Sequence, residues 1–132
     1  MDIVSALFTE TFNLRTVEGP ATRIDLSGVF FSMASPSPVP VTIEPHLMVL
    51  IRCRADEPGN GILEVSFVDP SSGNDVEVAK NMSPFTVEPG KFTYRLVRAQ
   101  LAFASYTTIE ARCKIGTGHE TIVPLTLLPP IS

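Results

Sequence analysis

Short apolar runs recur almost from one end of this chain to the other, and each is cut off by a cluster of Gly, Pro, Asn or Asp. Residues 47–51, 63–68, 92–97, 109–115 and 122–128 are apolar or alternate, and between them lie Glu57-Pro58-Gly59-Asn60-Gly61, Asp69-Pro70-Ser71-Ser72-Gly73-Asn74, Glu88-Pro89-Gly90 and Gly116-Thr117-Gly118-His119. Runs this short, punctuated this often, specify antiparallel strands that close into a sandwich or barrel. Val, Ile and Thr supply 34 of the 132 residues, and their stiff branched side chains suit a pleated surface better than a helix. At 14.3 kDa one domain is expected. The fold class that follows is all-β, a single antiparallel β-sandwich of roughly seven to nine strands.

Element by element, residues 3–9 read as a first strand, although Ile3, Leu7 and Leu14 would also suit a short helix. Residues 15–20 read as a polar loop ending in Gly19-Pro20, and residues 22–32 as a second strand in which Gly28 marks a bulge or close backbone approach. Pro36, Pro38 and Pro40 make the next stretch extended and a poor ladder donor. Strands at 46–54 and 62–68, joined through Pro58-Gly59, are expected to form a hairpin. Short strands follow at 76–80, 84–87 and 91–97. Residues 97–103 are ambiguous, since Val97, Leu101 and Ala104 would line one side of a helical turn. A last hairpin joins 106–115 to 121–128.

The net charge of −4 and pI near 5.1 argue against a nucleic-acid partner, because such binding is carried by cations neutralising phosphates. No stretch approaches the roughly 20 apolar residues that cross a bilayer, so a soluble cytoplasmic protein is expected. Two cysteines are too few for a disulfide framework. Cys53 shares a strand face with Leu47, Val49 and Ile51, and Cys113 shares one with Ile109, Ala111 and Ile115. Buried reduced thiols are expected, with a disulfide between neighbouring strands as the alternative.

A first stretch like residues 3–8, a second strand containing Gly28, a Pro-rich connection, a Pro-Gly turn and a closing hairpin ending in Pro124-Leu125-Thr126-Leu127 resemble a family of small uncharacterised bacterial β-sandwich proteins. The resemblance implies a sandwich fold and a bacterial cytoplasmic setting, and carries over no functional residues.

Chemistry-bearing motifs are sparse. His46 and His119 sit beside turns without the further ligands a zinc site needs. Asp69, Asn74 and Asp75 lack the alternating acidic pattern of a calcium loop, and a hairpin turn is expected there. Neither a nucleophile elbow nor a phosphate loop is present, so no catalytic residue, metal or cofactor is expected. Two patterns remain. Arg52 and Arg54 flank Cys53, and Arg112 and Lys114 flank Cys113. If those strands paired, Arg52, Arg54 and Arg112 would form a basic patch able to grip a carboxylate or phosphate. Secondly, residues 47–51 are apolar on both faces. A sandwich strand should be wet on one side, so Met48 and Leu50 need a cover, either the chain's own loops or another chain. The expected function is a non-catalytic interaction or structural module whose partner is itself or another protein, docked at Met48 and Leu50. The alternative is a small-molecule or peptide binding protein using the sandwich loops or the arginines.

Overall fold

A computed structural model describes residues 1–16, 21–71 and 73–131. The period-two alternation gives eleven strands and no helix among the described residues: β1 (Asp2–Thr16), β2 (Thr22–Val29), β3 (Ser32–Ala34), β4 (Val41–Ile43), β5 (His46–Arg52), β6 (Asn60–Asp69), β7 (Val76–Thr86), β8 (Phe92–Arg98), β9 (Leu101–Phe103), β10 (Thr108–Ile115) and β11 (Thr121–Leu128). They form a four-stranded sheet, β2-β1-β5-β8, a five-stranded sheet, β3-β11-β10-β6-β7, and the small pair β4-β9. Every pairing is antiparallel except β3 on β11. The all-β sandwich expectation holds, with more strands than expected because β3, β4 and β9 are only three residues long.

The core fills the gap between the two large sheets. Leu47, Val49 and Ile51 of β5 face Leu63, Val65 and Phe67 of β6, with Ala111 and Cys113 of β10 and Leu125 and Leu127 of β11 beside them. All are at most 1% exposed. One side of the sandwich is closed by Arg95 of β8, whose guanidinium lies 5.9 Å from the Phe85 ring centre and donates to the Pro84 carbonyl of β7 at 2.8 Å. Pro84, which has no N–H to give, sits in an edge strand where none is required.

Three expectations are corrected. Strands β5 and β6 do not form a hairpin, because they belong to different sheets. Turn formers encode a reversal but not the plane in which it happens. Here the Cys53 N–H donates to Lys91 and the Cys53 carbonyl accepts from Gly90, so the chain stays beside β8 before crossing the sandwich. The two short strands expected at 76–80 and 84–87 are one strand, β7, ending at Thr86. The ambiguous stretch at 97–103 is not a helical turn: β8 runs to Arg98, Ala99 and Gln100 lead into β9, and Leu101 and Phe103 are buried on either side of exposed Ala102. The last hairpin is as expected, with Ala111 opposite Val123. The turn at Gly19-Pro20 lies outside the described residues.

Candidate functional site, an apolar face beneath a hairpin arm

Because β5 sends Leu47, Val49 and Ile51 into the core, Met48 and Leu50 must point out of the other side of the four-stranded sheet. Their neighbours there are mostly apolar too. Met48 lies between Leu7 and Leu96, and Leu50 between Ser5 and Tyr94. Water does not reach Met48, which is 1% exposed in a single chain.

The cover is a part of the chain that the sequence pattern divides into a separate strand and loop. Strand β1 pairs with β5 only as far as Thr9, opposite His46, and then continues to Thr16 paired with β2 alone, Leu14 facing Ile24. Seven residues at about 3.3 Å each would carry a straight arm roughly 23 Å beyond His46, away from Leu50. Instead Thr22 and Ile24 line one cleft with Leu50, Phe92, Thr93 and Tyr94, and the Phe12 ring stands edge-on to His46 at 6.4 Å. The arm is therefore folded back over the sheet's outer face as a third layer. Its bend is built locally. The register runs unbroken from Thr9↔Val29 to Thr11↔Ser27, and Gly28, opposite Glu10 between them, takes a φ of 68°. The buried Thr9 hydroxyl reaches the carbonyls of both Thr11 and Ser27, at 2.8 and 2.9 Å. A Cβ on Gly28 would lie 2.7 Å from the Glu10 carboxyl carbon, so what crowds this glycine is a side chain, and the bulge expected here as one of two readings is absent.

Met48 is thus corrected as an exposed interface residue, since the chain covers it. Leu50 stays half-buried, in a cleft of about 310 Å³ whose rim carries Phe92, 64% exposed. Ile24, Phe92 and Tyr94 were not legible as site residues. The available signal was the alternation of Phe12 and Leu14 with Asn13 and Arg15, and of Ile24 and Leu26 with Arg23 and Asp25, which marks two strands each with an apolar side.

The basic patch is corrected as well. Arg52 belongs to the four-stranded sheet and Arg112 to the five-stranded one, so the strands that carry them never pair. Each guanidinium has a carboxylate. Arg52 and Arg54 share Asp2 at 3.2 and 3.3 Å. Arg112 lies between Asp75 and Glu110, at 2.8 and 2.9 Å. Hydrogen bonding to Arg112 holds the Asp75 carboxyl below its ordinary range, and the two carboxylates raise the Arg112 pKa. Asp75 is committed to that ion pair and Asp69 accepts from the Ser71 N–H at 2.9 Å, the hairpin-turn role expected for this stretch.

Cys53 and Cys113 are free and buried, which removes the disulfide alternative. Burial in the core, with a smaller contribution from Glu120, pushes the Cys113 thiol up to about 12, so it is a packing group rather than a nucleophile. His46 and His119 line separate clefts. Among the described residues no group of three or more His, Cys, Asp and Glu is placed to hold a metal ion, and no helix is long and apolar enough to cross a membrane. Compared with known proteins, the chain matches no family model, no curated protein and no solved structure.

Proposed function

We propose that this protein is a non-catalytic interaction or structural module, a subunit of an assembly, that docks a second protein chain on the outer face of its four-stranded sheet. One observation carries the reading: the arm covers Met48 but leaves Leu50 half-buried and Phe92 64% exposed around a shared apolar cleft. Covering the rest of Phe92 would contribute about 2 kcal/mol, enough to make it an anchor. The two unpaired thiols support a reducing compartment, the cytoplasm, and the sandwich resemblance supports a bacterial setting.

Native mass spectrometry tests the reading. The wild-type protein is expected to appear as a multimer or with a retained partner chain, and Phe92→Asp to release it without loss of folding, because that side chain is mostly exposed in the monomer. A multimer that survives Phe92→Asp unchanged, or a wild-type protein that binds nothing, overturns it.

A further inference from the structure

The arm is held on its sheet in an unusual way. Its polar groups close on one another: Arg15 pairs with Asp25 at 2.6 Å across the two arm strands. Among the described residues, no ion pair, backbone bond or side-chain hydrogen bond joins Glu10–Thr16 or Thr22–Leu26 to β5 or β8. What seats the arm is apolar packing. That packing forms its own layer, because Met48, though buried, is not part of the inter-sheet core, and Phe12, Ile24, Leu26, Leu50 and Leu96 do not pack against that core. Releasing the arm would leave the sandwich behind it intact.

We propose that the arm exchanges between two copies of this chain, each laying its arm over the other's Met48 and Leu50. The proposal rests on the reading of this face as a docking surface and names its occupant. Among the described residues, the segment seated there is the arm itself, so an identical arm from a second copy is complementary by construction and meets the same residues. Exchanging identical elements is a low-cost route to a dimer, since the packing given up within each chain is restored between the two. The bend supplies the switch. The closed arm holds Gly28 at a positive φ, which a straightened arm does not need. The dimer is closed and twofold, and its share rises with concentration by mass action.

The test mixes two variants, Thr22→Cys and Tyr94→Cys, which each place one thiol in the cleft where arm and sheet meet. They are unfolded together, refolded at high concentration and treated with a short bismaleimide, which the buried Cys53 and Cys113 do not meet. Exchange gives a covalent heterodimer on a denaturing gel, formed by neither variant alone. Thr93→Cys replaces Tyr94→Cys if that variant does not fold. In the same assay Gly28→Ala is expected to raise the dimerisation constant roughly fivefold or more, the factor implied by an alanine in a left-handed conformation. A native dimer whose heterodimer does not crosslink, while the double variant crosslinks within one chain, overturns exchange but leaves docking of closed-arm copies standing. A protein that stays monomeric overturns exchange, and the docking reading then stands or falls on the Phe92→Asp comparison.

Discussion

The two outer faces of this sandwich solve the same problem in opposite ways. On the five-stranded sheet, Glu64 is bound by Lys80 at 2.7 Å and Lys114 at 3.6 Å, and Arg112 is held between Asp75 and Glu110. That face is a lattice of small compensating charges that water can cover. On the four-stranded sheet, Leu7, Met48, Leu96 and Leu50 take the equivalent positions, and only a further layer of protein keeps them dry. A charged face is complete in a single molecule, whereas an apolar face stays open to whatever can compete for it, even when the chain provides its own cover.

Substitutions in the three layers should rank accordingly. Phe67→Ala, in the inter-sheet core, is expected to cost about 3–5 kcal/mol in urea unfolding, because packed neighbours on every side prevent the cavity from collapsing. Met48→Ala should cost less, about 2–3 kcal/mol, since the arm can settle into the space. Its amides in Glu10–Thr16 and Thr22–Val29 should exchange faster while those of β6 and β10 do not. Equal costs, or a uniform change in exchange, would show that arm and core unfold as one unit. Gly28→Ala should lose about 1–2 kcal/mol through its left-handed backbone, with Glu10→Ala relieving the steric part but not the dihedral part.

The smallest effects belong to the charged face and concern pH. Lys80 and Lys114 hold Glu64 below its ordinary value of 4.5, and Arg112 holds Asp75 below 3.8. A carboxylate lowered in the folded state stabilises above its ordinary pKa, and that contribution is lost as pH falls through the lowered one. Stability should therefore be flat between about pH 5 and pH 8 and decline below about pH 4. Asp75→Asn should shallow the decline slightly in acid denaturation; a variant that steepens it would contradict the assigned pairing. The Cys113 thiol, pushed up to about 12, should resist alkylation at about pH 8 until the protein unfolds, which mass spectrometry after iodoacetamide treatment would show.

Much of the scaffold was legible because alternation reports which side of a strand is dry. Leu47, Val49 and Ile51, like Ile109, Ala111 and Cys113, read as core and are core. Alternation does not report which sheet a strand joins. For that reason the β5–β6 reversal looks like a hairpin in sequence, and Arg52 and Arg112 look like neighbours although the sandwich separates them. The three-residue strands are too short to carry a period. For the candidate site, Leu50 was legible from its two-sided run, while Ile24 and Phe92 were not. Their convergence depends on a bend at Glu10 and Gly28, and a glycine announces that a bend is possible without giving its direction.

Strand β3 has a consequence for the molecule's behaviour in a crowded cell. A sheet that ended at β11 would present the row of bonding groups on an eight-residue strand, a template on which foreign chains can polymerise. Ser32–Ala34 occupies part of that row in parallel register, with the Ser35 N–H extending it to the Leu128 carbonyl, and at three residues is itself too short a template for a fibril to grow on. The chain thus carries its own chain terminator, and deleting those residues should yield a protein that seeds aggregates.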